Sequence, residues 1–360
     1  MSRTDGSTYA PDPVPAPVVG PGEFTIAAVG LDHGHIYGQV GGLIGAGAEL
    51  AWVYDPDARK TAAFAARHPG VRIARSEAEV LDDPAVHLVA GAAVTSERCA
   101  LGIRVMEAGK DYFTDKAPLT TLEQLAAAKD AVARTGRKYA VYYSERLHVE
   151  TAVFASQLIA QGAIGRVLQV IGTGPHRLGR GRPDWFFEKE RYGGILCDIG
   201  SHQIEQILHY TGASDGEVVR SQVANYHHPE HPELDDFGDA MLVMDNGATG
   251  YFRCDWFTPD GLQTWGDGRS IILGTEGFIE QRKYMQLGEP QSTGGHLYLA
   301  NGEQETAFHL TGEVGYPYFG ELVLDCLNRT ENAMTQQHAF KAAELSVKAQ
   351  LHAVDLTGRG

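Results

Sequence analysis

The 360-residue chain is poor in cysteine and contains no long apolar run. Its four cysteines, at positions 99, 197, 254 and 326, form no C-x-x-C pair. This pattern argues against a disulfide framework or a cysteine-rich zinc site and is typical of a reducing compartment, so we expect a cytoplasmic protein. No stretch approaches the length of a membrane span, and we expect no membrane partner.

Positive charge is scarce as well, with 30 Lys and Arg against 46 Asp and Glu and a net charge of -16. Nucleic acids and anionic surfaces bind basic proteins, so we expect no nucleic-acid partner. The first 22 residues lack a cationic segment followed by an apolar core, so we expect no secretory signal. Their five prolines predict a disordered arm over residues 1–22.

The length predicts two domains, because a single hydrophobic core rarely extends over 360 residues. Short apolar runs alternate with helical patterns over residues 23–146, which predicts an α/β fold: an N-terminal Rossmann domain with a doubly wound parallel sheet. Consecutive strand patterns with tight turns over residues 147–336 predict a C-terminal α+β domain built on an open antiparallel sheet. A last helix, in residues 337–360, is expected to pack back on the Rossmann domain.

The turn after the first predicted strand is where such a sheet would bind a dinucleotide pyrophosphate. Of the usual G-x-G-x-x-G, only Gly30 remains, and Asp32 and His35 occupy the second and third glycine positions. An Asp would repel the pyrophosphate unless it points away or His33 and His35 offset its charge. We therefore expect Gly30, Asp32, His33 and His35 to border the cofactor.

Two further residues, Asp55 and Lys116, are expected to border the cofactor at the same sheet edge. Asp55 closes the second strand and could accept hydrogen bonds from the ribose hydroxyls; its charge would repel a 2′-phosphate, which favours NAD over NADP. Its alternative role is to shape the turn Asp55-Pro56-Asp57 and cap the next helix. Lys116 leaves a parallel strand at its carboxyl end, where it could stabilise negative charge on a substrate oxygen. Such a lysine is often merely solvated.

The stretch Gly193-Gly194-Ile195-Leu196-Cys197-Asp198-Ile199-Gly200-Ser201-His202 combines glycines, an acid and a histidine. Apolar spacing predicts a helix over 195–210, which places Asp198 and His202 on one face, four residues apart. The carboxylate could then orient the imidazole as a general base. The alternatives are an ordinary helix pair or a metal site that includes Glu205. Without a recognisable zinc spacing, we expect no metal.

Polar and aromatic residues near this stretch suit a carbohydrate pocket. The candidates are Tyr143, Arg146, His176, Arg182 and Trp185, together with Asp198 and His202. The cluster Arg177, Arg180 and Arg182 could meet an anionic substrate or pair with neighbouring acids. A solvated loop is the alternative for the whole segment.

From about residue 24 to the end, the chain resembles the Gfo/Idh/MocA oxidoreductases. The matching motifs are Ala108-Gly109-Lys110-Asp111 running into Asp115-Lys116 and Pro118, then Gly193-Gly194 with Asp198 and His202, and finally Gly274-Thr275-Glu276-Gly277. The resemblance implies that Lys116, Asp198 and His202 are the catalytic trio, with His202 as proton acceptor. The chain departs from the family pattern at Ala117, which separates Lys116 from Pro118, and in the degraded glycine motif.

The resemblance implies an NAD(P)-dependent enzyme that oxidises a secondary hydroxyl of a sugar or cyclitol. Lys116 would hold the oxygen, Asp198 would orient His202, and hydride would pass to the nicotinamide. The antiparallel sheet would carry the substrate domain and the interface of a homodimer or homotetramer. Two alternatives stay open: a glycoside hydrolase or lyase that oxidises its substrate transiently with retained NAD, and a non-enzymatic sensor of NAD and a sugar.

Overall fold

The computed structural model describes residue 12, residues 14–289 and residues 294–358. The first domain contains six parallel strands in the order β3-β2-β1-β4-β5-β6, the order of dinucleotide-binding folds. Its elements are β1 (Thr25–Val29), α1 (His35–Gly45), β2 (Glu49–Tyr54), α2 (Ala58–Arg67), β3 (Arg72–Ile73), α3 (Glu77–Leu81), β4 (Leu88–Gly91), α4 (Arg98–Glu107), β5 (Asp111–Asp115), α5 (Leu122–Thr135) and β6 (Tyr139–Tyr142). A 3-10 turn, Thr95–Glu97, precedes α4.

The central strands form because their apolar side chains are covered on both faces. Every residue of β4 and β5 is buried, as are four of the five residues of β1. Local signals define the helix ends: the Thr121 side chain accepts a hydrogen bond from Gln124 N–H at the start of α5, and Gly136 ends it with φ of 64°.

The second domain is built on a nine-stranded sheet in the order β14-β13-β12-β11-β7-β10-β9-β8-β15. Its elements are α6 (Ser144–Leu147), α7 (Glu150–Ala160), β7 (Val167–Pro175), α8 (Lys189–Tyr192), α9 (Ile195–Asp198), α10 (Gly200–Thr211), β8 (Gly216–Ala224), β9 (Phe237–Met244), β10 (Thr249–Asp255), β11 (Arg269–Gly274), β12 (Gly277–Arg282), β13 (His296–Asn301), β14 (Glu305–His309), α11 (Pro317–Asn328), α12 (Gln336–Leu351) and β15 (Val354–Asp355). The predicted fold class is thereby confirmed. The sheet is mixed rather than purely antiparallel, because β7 pairs with β10, and β8 with β15, in parallel.

The C-terminal helix α12 contacts both domains. On the Rossmann side, Gln336 exchanges hydrogen bonds with the backbone of Tyr139. On the other side, the Gln350 side chain accepts a hydrogen bond from Leu196 N–H. The helix therefore contacts the Rossmann domain, where the sequence predicted it to pack, and the second domain as well. Among the described residues, no helix is long and apolar enough to cross a membrane.

The predicted N-terminal arm lies partly outside the described residues. Its described part does contact the protein: Val18 N–H donates to Ala46 O over 2.9 Å, and Val19 packs against the core. Val18 and Val19 therefore contact the Rossmann domain, whereas Val14 and Pro15 lie against Gly315 of the second domain. The disordered arm over residues 1–22 stays a prediction.

Two adjacent glycines of α1 differ in what surrounds them. A Cβ at Gly42 would lie 2.3 Å from ring atoms of the buried Phe319, while a Cβ at Gly41 would meet nothing within 4 Å. Gly42 thus lets α1 and α11 approach each other closely.

We expect Gly42→Ala to lower the free energy of unfolding by about 1–3 kcal/mol through overpacking. The matched control Gly41→Ala should raise it by about 0.5–1 kcal/mol, because alanine favours the helix and nothing obstructs it. Urea unfolding of both variants checks this. Equal effects at the two positions would contradict the packing assigned to Gly42.

Candidate active site

A buried ion pair joins the two domains. Lys116, directly after β5, places its Nζ 2.6 Å from Asp198 Oδ1 and 3.4 Å from Asp198 O. Only 4% of Lys116 and 9% of Asp198 is exposed. Burial alone would raise the pKa of Asp198, but the Lys116 ammonium outweighs it and lowers that pKa to about 2. The Asp198 carboxylate is therefore ionised at neutral pH.

The helix that the sequence predicted over 195–210 is interrupted after Asp198. The Asp198 carbonyl accepts hydrogen bonds from the Ser201 hydroxyl and from Lys116, and the His202 N–H donates to Ile199 O. The chain therefore forms α9 and α10 with a break between them. The side chain of Asp198 bonds to Lys116, so the predicted orientation of His202 by Asp198 has no counterpart in the described residues.

His202 lies next to this pair and is almost fully buried, with 1% exposed. Its Nδ1 is buried without a hydrogen-bond partner among the described residues. Burial lowers the pKa of His202 well below its usual value, against the opposing charge of Glu145, and Lys116 lowers it further. The imidazole is neutral at pH 7 and can accept a proton.

The loop between β1 and α1 is tied to the residue before Lys116. His33 Nδ1 lies 3.0 Å and His35 Nδ1 2.8 Å from the carboxylate of Asp115, which is fully buried. Arg98 donates to the same carboxylate over 3.1 Å. Burial would raise the pKa of Asp115, but His35, Arg98 and His33 hold it well below its usual value. One carboxylate thus fixes both histidines.

His33, His35 and Asp115 also have the composition of a metal site. One ligand atom from each lies within 4.8 Å of the others. From the sequence, a metal site was considered only on the helix face around Asp198 and His202, and no metal was expected. The group of His33, His35 and Asp115 was not predicted, because its members come together only in the fold. Glu205, the third ligand considered there, instead accepts hydrogen bonds from Arg146.

A cleft of about 400 Å³ lies at the carboxyl ends of β1 and β2. Gly30 borders it with φ of 74°, and a Cβ there would lie 2.9 Å from the Cβ of Ala93, so the turn needs glycine. No side chain caps the N-terminus of α1, and its first N–H groups donate to His33: that of His35 to Nδ1 and that of Ile36 to the carbonyl oxygen. The cleft and its glycine turn fit a dinucleotide despite the two lost glycines.

The acids of this cleft are partly neutralised. Lys60 Nζ lies 2.5 Å from Asp32 Oδ1, so the Asp that replaces a glycine is paired. Asp55 accepts hydrogen bonds from Leu31 N–H over 2.7 Å and from Asp57 N–H over 2.9 Å. Asp55 therefore shapes its turn and also borders the cleft, while Asp57 is the residue that caps α2.

Two predicted substrate residues are engaged elsewhere. The Arg146 Nε donates to Glu205 over 2.7 and 2.9 Å in a buried ion pair. The Tyr143 hydroxyl donates to Ala339 O, although its ring centroid lies 6.5 Å from that of His202. Arg146 is therefore a structural residue here, and Tyr143 can contribute only the face of its ring.

The loop after β7 contributes an aromatic wall. The Arg182 guanidinium lies 4.2 Å from the ring centre of Phe186 and 4.4 Å from that of Trp256. The ring of His176 lies 4.4 Å from Trp265 and 5.4 Å from Trp256. Trp185, predicted as a pocket wall, is buried against Phe186. The tryptophans in contact with His176 were not predicted.

The arginine cluster does not form one anion site. Arg177 donates to the carbonyls of Pro259 and Leu262, and Arg182 donates to those of Leu178 and Arg177. Arg180 is exposed. The guanidinium groups of Arg177 and Arg182 thus bind backbone carbonyl oxygens.

Comparison with known families assigns the chain. Residues 24–143 match the oxidoreductase family with an NAD-binding Rossmann fold, and residues 153–280 match the Gfo/Idh/MocA C-terminal domain. The chain belongs to the Gfo/Idh/MocA family of oxidoreductases. This confirms the resemblance seen in the motifs.

Individual relatives agree with this membership. A crystal structure of a protein from Erwinia carotovora atroseptica described as an oxidoreductase is 54% identical, covers 93% of this chain and 100% of its own, and has a TM-score of 0.90. The scyllo-inositol 2-dehydrogenase (NAD(+)) of Bacillus subtilis is 29% identical over 65% of this chain. The D-xylose dehydrogenase of Paenarthrobacter nicotinovorans is 31% identical over 34%. The chain spans 66% and 33% of the length of these two curated relatives.

A second buried ion pair lies beside the family's trio and belongs to none of its motifs. Glu145, 2% exposed, accepts hydrogen bonds from Lys283 Nζ over 2.6 Å and from Gln203 Nε2 over 2.8 Å. Gln203 adjoins His202 in α10. Tyr143 and Arg146, on either side of Glu145, were predicted as pocket residues, but Lys283 was not, because a single lysine at a strand end carries no pattern.

Proposed function

We propose that this protein is an NAD-dependent dehydrogenase that oxidises a secondary hydroxyl of a sugar, sugar derivative or cyclitol. The observation that carries the proposal is the buried Lys116–Asp198 pair, 2.6 Å long, beside the neutral His202. Family membership and the dehydrogenases among its relatives support the reaction class.

Each member of the trio has one task in this proposal. Lys116 donates a hydrogen bond to the substrate oxygen and stabilises the charge that develops on it. His202 accepts the hydroxyl proton. Asp198 fixes the position of the Lys116 Nζ by the 2.6 Å hydrogen bond. The bound nicotinamide supplies the hydride acceptor.

We expect His202→Ala to lower kcat by roughly 10²–10⁴-fold, because proton transfer loses its acceptor. The affinity for NAD should stay nearly unchanged, since the proposed contact is with the substrate. His209→Ala is the matched control: His209 also lies in α10, but it is half-buried and bonds to Ser156 over 3.0 Å. Steady-state rates and NAD calorimetry measure both variants. Near-normal turnover of folded His202→Ala would remove His202 from the role of base.

The cofactor is proposed to be NAD rather than NADP. Asp32, Asp55, Glu77 and Glu97 all line the cleft at the strand ends, and a 2′-phosphate would add like charge there. We expect NAD to bind at least tenfold more tightly than NADP, as measured by calorimetry. Asp55→Asn should lower the ratio of the dissociation constant of NADP to that of NAD. Asp57→Asn, which alters an exposed pair with Arg59, should leave this ratio unchanged. Equal affinities for the two cofactors in the wild type would contradict the proposal.

We also propose that the protein works as a homodimer or homotetramer in the cytoplasm. Rows of exposed apolar residues cross one face of the second sheet in register, including Met241, Val243, Ile271, Leu273 and Phe278. An apolar patch of this kind is suited to association with a second copy. Light scattering of the full chain, with a mass above 39.0 kDa expected, tests the oligomer.

The proposed cytoplasmic location is supported by the cysteines. All four are buried and unpaired, which suits a reducing compartment.

A further inference from the structure

Glu145 carries one oxygen that nothing in the described structure satisfies. Its Oε2 accepts from Lys283 and from Gln203, but its Oε1 is buried without a hydrogen-bond partner. A buried carboxylate oxygen left in this state costs free energy, because water has been removed and no donor replaces it. Lys283 Nζ keeps the carboxylate ionised by outweighing the cost of burial, so the pKa of Glu145 is lowered. The unpaired oxygen is therefore a strong acceptor.

The group that faces this oxygen is a second acceptor. His176 Nδ1 lies 3.1 Å from Gly174 O, and a carbonyl can only accept, so Nδ1 carries the proton. Burial lowers the pKa of His176 to about 4 despite the opposing charge of Glu145. The ring is neutral and its Nε2 is a bare lone pair. That nitrogen lies 3.9 Å from Glu145 Oε1, too far for a hydrogen bond.

These two acceptors lie at the proposed reaction centre. Gln203, which holds Glu145, adjoins His202, and Glu145 and His176 both act electrostatically on the His202 ring. The charges of Lys116 and Asp198 also act on the His176 ring. Trp256 and Trp265 pack around His176, so the acceptors adjoin an aromatic surface of the kind that sugar rings contact.

We propose that Glu145 Oε1 and His176 Nε2 form a subsite for two hydroxyl groups on neighbouring carbons of an uncharged polyol. Each hydroxyl donates to one acceptor, which satisfies both buried groups at once. A carboxylate or phosphate in place of either hydroxyl brings no donor and places like charge against Glu145. This inference rests on the proposed function and narrows its substrate class to neutral vicinal diols.

The ligand side of the proposal is tested on the wild-type protein with NAD present. Calorimetry compares scyllo-inositol, D-xylose and glucose with their deoxy or O-methyl derivatives and with glucuronate. At least one neutral polyol should bind, and removal or methylation of one hydroxyl of the recognised pair should weaken binding at least about tenfold. Glucuronate should bind more weakly than glucose by a similar factor. The inference is overturned if no neutral polyol binds, or if every single-hydroxyl derivative binds as well as its parent.

The protein side uses Glu145→Gln with Glu205→Gln as the matched control. Each change removes the charge of a buried Glu that pairs with a cation, but Glu205 faces Arg146 and His338. In Glu145→Gln the amide oxygen should turn to Lys283 and the NH₂ into the subsite, which replaces an acceptor by a donor. We expect at least a tenfold rise in the dissociation constant of the polyol that binds the wild type, and less than a twofold rise in the control.

Equal polyol affinities of the wild type and folded Glu145→Gln would overturn the subsite. Should Glu145→Gln fail to fold, the double variant Glu145→Gln/Lys283→Met, which leaves no unpaired ammonium, takes its place. If polyols bind in this Glu145-dependent way but are never oxidised, the proposed function fails while the subsite stands. If only anionic sugars bind and are oxidised, the subsite is overturned while the oxidation stands.

Discussion

The ion pair between Lys116 and Asp198 is the constraint on which the site depends. It connects the end of β5 with the break between α9 and α10, and thus one domain with the other. A buried charge is tolerated only when it is paired, and removal of one partner of such a pair typically costs about 3–5 kcal/mol. The pair therefore holds the two domains in one relative position at the point where cofactor and substrate would meet.

Two consecutive residues at the end of β5 anchor different parts of the structure. Asp115 holds His33 and His35, and through them the first turn of the Rossmann domain. Lys116, the next residue, holds Asp198 in the second domain. Any movement at the end of this strand would displace the first turn and the Lys116–Asp198 pair together. A turn with the usual glycines has no side chains to anchor in this way, whereas here two histidines tether the turn to β5.

The sequence predicted what depends on local pattern. The buried strands β1 and β5, the alternation of the Rossmann domain and the positions of Lys116, Asp198 and His202 all follow from periodicity or motif. The two-residue strands β3 and β15 were missed because they carry no period. The parallel pairing of β7 with β10 escaped prediction because register depends on long-range packing.

The predicted and observed contacts at the site differ for one physical reason. Spacing along a helix predicted that Asp198 would orient His202, but Lys116, 82 residues away, binds the carboxylate in this structure. Arg146 was assigned to substrate, yet Glu205, 59 residues away, binds it in the core. Glu145 and Lys283 are 138 residues apart, so no local pattern links them. Charge pairing in the interior is a tertiary property, and composition reveals only that the partners exist.

The most direct test is a double-mutant cycle on the pair, using Lys116→Met, Asp198→Asn and the double variant. The kcat/KM for NAD reduction is measured with the best sugar or cyclitol substrate. If the pair acts as one unit, the double variant should lose hardly more than the worse single variant, with a coupling of about 2 kcal/mol or more. Additive losses, with coupling below about 0.5 kcal/mol, would mean that Lys116 and Asp198 act independently and would contradict this account.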